Sequence, residues 1–231
     1  MESKNAPVYL FIIASFFALV ATIIDNEWLM ILSKPMIIPS LFIHYSISEK
    51  KETSIELLVV LLIYFISDAI TLIHIENSTL YIMILDYIPY ILLLKVVIQD
   101  AVKSGFCINK FGLGIVLFGL LMSAMYFLLD SLVNQDPDFV FPIISYGIIL
   151  GLYVTVSSYN YFKTGFSDAA SFIFVAAVFG LIADVIFVIT NMVFSVNALS
   201  YIEFAFQIIS YFYIVAYFVN RDKMHLSTEL I

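Results

Sequence analysis

Apolar residues run along this chain in eight long blocks, at roughly 7–25, 28–47, 55–75, 79–98, 110–129, 139–160, 169–194 and 198–219, with short polar breaks between them. Each block is about 20 residues long, enough to carry a helix across a hydrocarbon core. Within a block the apolar positions are continuous rather than alternating. That pattern predicts helices, which satisfy their own backbone in lipid, and not barrel strands. The breaks include DNE at 25–27, SEKKETS at 48–54, ENS at 76–78 and NQDPD at 134–138. None is long enough for a soluble domain. Residues 1–231 are therefore expected to form a single transmembrane domain, an all-α polytopic membrane protein with eight transmembrane helices.

Composition sharpens this picture. The chain is 63% hydrophobic and 12% charged, where a soluble domain is about half apolar and about a quarter charged. Its mean hydropathy of +1.06 agrees. The first block is long and lacks a small-residue cleavage site, so it is expected to stay as a helix rather than leave as a signal peptide. Lys4, Lys50, Lys51, Lys103, Lys110, Lys163, Arg221 and Lys223 fall in the N-terminal segment, alternate connections or the C-terminal tail. The intervening connections carry Asp25, Glu27, Glu76, Asp130, Asp136 and Asp138 and no base. The positive-inside rule then puts both termini in the cytoplasm, with a bacterial inner membrane as the expected location. A net charge of −8 with no basic patch offers nothing to nucleic acid. Cys107 is the single cysteine, which excludes an internal disulfide framework and predicts a free thiol in a polar loop.

Only Lys34 and Lys95 among the bases lie inside spans. Lys95 is near a cytoplasmic end and can snorkel, whereas Lys34 is deeper. Ionisable residues in a membrane are costly and usually face a bundle interior or cavity. Lys34, Asp68, Asp86 and Asp184 sit six to ten residues from the outer ends of spans 2, 3, 4 and 7, a depth of roughly 9 to 15 Å at 1.5 Å per residue. Glu203 and Gln207 of span 8 share that band. The expectation is one polar cavity in the outer half. Helical faces agree: Asp68 shares a face with Tyr64 and Thr71, Asp86 with Tyr90, and Asp184 with Gly180 and Asn191. Pro35 and Pro39 free backbone carbonyls beside Lys34 and should kink span 2. A purely structural Lys34–Asp pairing is the plain alternative. His44 and His74 are at opposite ends of spans and His225 is in the tail, so no three-histidine metal site is expected.

A faint internal repeat accompanies this layer. Superimposing Asp68 on Asp184 also matches Ile66 with Ile182, Ile70 with Ile186 and Ile73 with Ile189. Asp86 follows Asp68 by 18 residues and Glu203 follows Asp184 by 19. Spans 3–4 and 7–8 would correspond in a possible four-plus-four repeat, with a site between the halves.

Four segments, in order and spacing, resemble the lysoplasmalogenase (YhhN-like) membrane family: LSKPMIIPSLF in span 2, YFISDAITL in span 3, FGLIADVIFVIT in span 7 and YIEFAFQIISYFYI in span 8. Chain length and span count fit as well. The chain departs from the family at Ser67, where Gly is usual, at Ala183, where Ser is usual, and in lacking a histidine near Asp86 and Tyr90. It reads as a divergent member. The resemblance implies hydrolysis of the vinyl ether bond of a lysoplasmalogen, releasing a fatty aldehyde and a glycerophospho-base. That chemistry needs one carboxylic acid to protonate the β-carbon and one ionised carboxylate to stabilise the oxocarbenium ion and activate water. Asp68 and Asp184 are the expected catalytic pair. Lys34 would hold one carboxylate ionised or meet a phosphate. Asp86, Tyr90, Asn191, Tyr201 and Gln207 would line the cavity and position headgroup or water. The lipid substrate would enter from the bilayer, and no metal or organic cofactor is needed. The competing readings are a hydrolase of another lipid and a transporter or proton-coupled carrier using the same carboxylates. An aspartyl intramembrane protease is disfavoured because its motifs are missing.

Overall fold

A computed structural model describes residues 5–48, 54–73, 78–105, 107–132, 140–164, 167–193 and 196–228. Among them are eight helices: α1 (Ala6–Ile24), α2 (Glu27–Ser48), α3 (Ile55–Ile73), α4 (Ser78–Lys103), α5 (Ile108–Leu132), α6 (Val140–Lys163), α7 (Asp168–Met192) and α8 (Asn197–Thr228). All eight are long and apolar enough to cross a membrane. The fold is an all-α polytopic membrane protein. Lys4, Lys50, Lys51, Glu76, Asp136, Asp138 and His74 lie outside the described residues, as do the side chains of Asp130, Lys223 and His225.

The surface shows which solvent the helices expect. Trp28, Leu32, Phe127 and Phe141 are 71 to 79% exposed, while Ser40, Asp68, Asp100, Ser157 and Asn160 are buried. Lipid tails are as apolar as leucine, so burial of side chains is driven by close packing and interhelical hydrogen bonds. The inner face of α7 illustrates this with Ala169, Ala170, Ala176, Ala177, Gly180 and Ala183, a stripe of small residues at helical spacing. It lets α8 approach closely, and the Ser210 hydroxyl donates across the interface to the Ala176 carbonyl at 2.9 Å.

Six helices close a ring in which α2 packs on α3, α3 on α4, α4 on α6, α6 on α7, α7 on α8, and α8 back on α2. Helix α1 lies against α2 and α8, and α5 packs mainly on α6 alone. The tight link between α1 and α2 is made by Asp25, whose φ of 53° is left-handed, and by Asn26. Asn26 Oδ1 accepts from the Leu29 N–H at 3.0 Å and caps α2. Helix α2 then continues to Ser48 with Pro35 and Pro39 inside it.

Two helices overrun the apolar blocks. Helix α4 continues to Lys103 and α8 to Thr228, so Arg221 is a helical residue and not part of a loose tail. Backbone hydrogen bonding does not stop where hydrophobicity does, and a buried acid rewards the extension. Asp100 of α4 accepts bonds from Arg221 Nε at 3.1 Å and Nη2 at 2.7 Å, and from the Tyr217 hydroxyl. At the same end Lys163 donates to Ser104 Oγ at 2.8 Å, and Asn160 to the Val97 carbonyl at 2.9 Å. Lys95 pairs with Glu56 at 3.1 Å on the exposed surface. The Cys107 thiol is free, and its N–H donates to the Tyr159 hydroxyl at 2.9 Å.

Candidate functional site

At the end of the ring that carries the α1–α2, α3–α4 and α7–α8 connections, the helices part around a cavity of about 270 Å³. Its wall includes Lys34, Asp68, Asp86, Asp184, Asn191, Glu203 and Gln207. Every helix except α5 contributes a lining residue. Residues far apart in the chain meet here because each sits at a similar distance from its helix end and faces inward.

On one side of the cavity, α2 presents Lys34 to α3. Its ammonium lies 3.1 Å from Asp68 Oδ1 and donates to Thr71 Oγ1 at 2.6 Å. Thr71, one turn beyond Asp68, in turn donates to the Asp68 carbonyl at 2.6 Å. Phe204 of α8 offers its ring face 5.2 Å from the same ammonium. Both members of the ion pair are under 10% exposed, so the charges are matched out of water. Among the described carboxylates of the cavity, Asp68 is the one in contact with a cation.

On the opposite side, α7 presents Asp184 to a pair of tyrosines. The Tyr90 hydroxyl donates to Asp184 Oδ2 at 2.5 Å, and Tyr146 of α6 lies beside the same carboxyl group. Gly180, one turn before Asp184, makes room for this arrangement. A methyl group there would stand 3.1 Å from the Tyr90 hydroxyl and 3.3 Å from Ser210 Oγ. Among the described residues no cation contacts Asp184.

Asp86 occupies the middle. It faces both Asp184 and Asp68, with Ser67 beside it on the cavity wall. Its Oδ1 is buried and has no hydrogen-bond partner among the described residues. Such an atom is expensive unless a ligand, water or proton completes it. Glu203 and Gln207, one turn apart on α8, complete the wall and are half-buried.

The structure brings Lys34, Asp68, Asp86, Asp184, Asn191 and Gln207 to one cavity, with Tyr90 directly behind Asp184. Asn191 is at the exposed rim, where its Nδ2 donates to the Phe187 carbonyl at 2.8 Å. Tyr201 is half-buried and does not line the cavity. Asp68 and Asp184 share the space without sharing a partner. Sequence reasoning missed Tyr146 and Thr22 as lining residues. For Tyr146 a signal exists: Tyr146, Tyr153, Ser157 and Asn160 recur at spacings of seven, four and three, a polar stripe on an otherwise apolar helix. Thr22 satisfies its hydroxyl on the Ala18 carbonyl at 2.9 Å, and nothing in its sequence context marks it. No protein-family model matches this chain, and no curated protein or solved structure matches it.

Proposed function

We propose that this protein is a membrane-embedded lipid hydrolase of the lysoplasmalogenase type, cleaving the vinyl ether bond of a single-chain ether lipid by carboxylate acid–base catalysis. The observation that carries the reading is the division of labour within one cavity. A carboxylate matched to a buried ammonium, Asp68 with Lys34, faces two carboxyl groups, Asp86 and Asp184, that no cation contacts among the described residues. Two facing carboxyl groups without a cation favour a shared proton. The site thus holds a proton donor and an anion within a small space.

The chemistry balances with water alone. Asp184 gives its proton to the β-carbon of the vinyl ether, and the double-bond electrons form that C–H bond. The resulting oxocarbenium ion is stabilised by the Asp68 carboxylate. Water adds to the α-carbon and loses a proton to a cavity carboxylate. The hemiacetal then breaks its C–O bond to give aldehyde and alcohol, and a proton returns to Asp184. Tyr90 and Tyr146 orient the acid, and Lys34 keeps Asp68 anionic. In this proposal both termini are cytoplasmic, and the cavity opens toward the outer half of a bacterial inner membrane.

The test is aldehyde release from defined lysoplasmalogens by the detergent-purified protein, beside Asp68→Asn and Asp184→Asn. Wild-type release, reduced at least about a hundredfold in each folded variant, is the expected result for groups in acid–base roles. Release that survives Asp184→Asn sinks the assignment.

A proton-coupled carrier is the second reading, and one observation favours it. Below the cavity, the hydroxyls of Tyr153, Tyr211 and Ser157 are buried without partners among the described residues, on the way to Asp100 and Arg221 at the other end. Substrate-dependent proton uptake into liposomes, with no aldehyde released from any lipid, would decide for the carrier.

A further inference from the structure

The polar cavity continues into a second, apolar one. A groove of about 330 Å³ runs between α5 and α7 over the surface of α6. Met83, Tyr146, Asp184 and Val188 belong to both walls. The groove is bounded by Met122 and Met125 of α5, Gly147 and Gly151 of α6, and Val185 of α7. Its floor is backbone: a Cβ at Gly151 would lie 2.7 Å from Met122 Cε, and one at Gly147 would collide with the Met125 side chain. Flexible thioether side chains resting on glycine adapt readily to an apolar guest.

The location opens this groove to lipid. Helix α5 packs mainly on α6, and its Leu120 and Phe127 are 64 and 74% exposed. Val185, on the groove wall, is 39% exposed. Lining chemistry selects the occupant, because apart from Tyr146 and Asp184 the groove walls are apolar side chains and glycine. The far end closes on a carboxyl group and a phenol, which suits a molecule with a polar end and not a plain hydrocarbon.

We propose that the α5–α7 groove takes the single alkyl chain of an amphiphile that slides in from the bilayer, its polar end in the cavity and its first chain carbons beside Asp184 and Tyr146. The proposal rests on the lipid reading of the site for the placement of that polar end. Helix α5 is the movable side of the entrance, and Gly147 and Gly151 set how deep the chain lies.

The experiment separates binding from turnover by using an uncleavable probe. An sn-1 alkyl-ether lysophosphatidylcholine with a diazirine near the chain end is photolysed with the protein in nanodiscs, and labelled peptides are mapped by mass spectrometry. Labelling concentrated on Leu121–Met125 and Leu181–Val188, and competed by unlabelled single-chain ether lipid, is the expected outcome. Gly151→Leu and, at the partly exposed rim, Val185→Trp should each reduce that labelling at least about tenfold, the factor that about 1.4 kcal/mol of lost affinity produces. Melting curves confirm that the variants are folded, and Val185→Trp stands as the test should Gly151→Leu not fold. Label spread over the exposed helix faces as it is for a two-chain diazirine lipid overturns the proposal, as does cross-linking that instead joins two copies through α5. Groove labelling without aldehyde release from any lysoplasmalogen leaves the groove standing and removes the hydrolase. Release with no label in the groove does the reverse.

Discussion

At the residue scale, the most consequential choice in the site is where the buried Lys34 ammonium sits. Lys34 contacts Asp68 and Thr71, and among the described residues no base contacts Asp86 or Asp184. Removing one partner from a buried ion pair typically costs about 3–5 kcal/mol, because the other charge stays buried and unpaired. Lys34→Met should therefore lower the melting temperature in detergent sharply. The double variant Lys34→Met, Asp68→Asn should recover much of that loss while remaining inactive. If the double variant melts no higher than the single one, the pair is not what holds α2 to α3. Gly180 offers a finer probe. A methyl group 3.1 Å from the Tyr90 hydroxyl displaces a rigid phenol, and overpacking of this kind costs about 1–3 kcal/mol. Gly180→Ala should reduce aldehyde release as Tyr90→Phe does, with little further loss when the two are combined. Fully additive losses would mean that Gly180 acts elsewhere.

At the element scale, the overrun of α4 and α8 past their apolar blocks makes a clamp distant from the cavity. Asp100 is 1% exposed and held by a two-nitrogen contact from Arg221 and by Tyr217. A planar guanidinium makes that fork and an ammonium does not. Arg221→Lys should lower thermal stability while leaving the specific activity of the folded fraction within about twofold, since the losses of well-separated sites behave independently. A large fall in activity at unchanged stability would tie this end of the bundle to the chemistry, which is what the carrier reading requires.

At the scale of the whole molecule, the helix pairings have a form that a twofold between halves would produce. Exchange of α1–α4 with α5–α8 turns the α2–α8 contact into the α6–α4 contact, and both are present. The acids follow the same exchange, with Asp68 and Asp86 in one half and Asp184 and Glu203 in the other, all on one cavity. The pattern breaks at α5. Helix α1 packs on α8 as well as α2, whereas α5 leans mainly on α6. A helix with so few buried contacts is the natural low-stability unit of the bundle. Hydrogen exchange in nanodiscs should show α5 amides exchanging before those of α7. Equal protection of the two would remove α5 as the movable wall of the groove.

The eight helices were legible in the linear chain because lipid imposes one rule along its whole length: the backbone pairs within each span, and each span has to be about 20 residues long. The depth of Lys34, Asp68, Asp86 and Asp184 was legible for a related reason, since a fixed rise per residue turns sequence position into height. That these residues meet at one cavity was expected from height and helical face together. Which of them touch did not. Hydropathy carries no information about which helices are neighbours, so the assignment of Lys34 to Asp68, the tyrosines behind Asp184 and the unpartnered oxygen of Asp86 were settled only by packing. Arg221 was misplaced in a tail because the apolar signal ended before the helix did, and its partner Asp100 is 121 residues away. Tyr201, read from its height and its polar tip, stays off the wall because rotation about α8 turns it away from the cavity. Sequence determined the solvent, the spans and the heights, since these depend on residues near one another in the chain. The tertiary structure decided partners, rotation and the position of α5, since these depend on contacts between elements that the chain order does not specify.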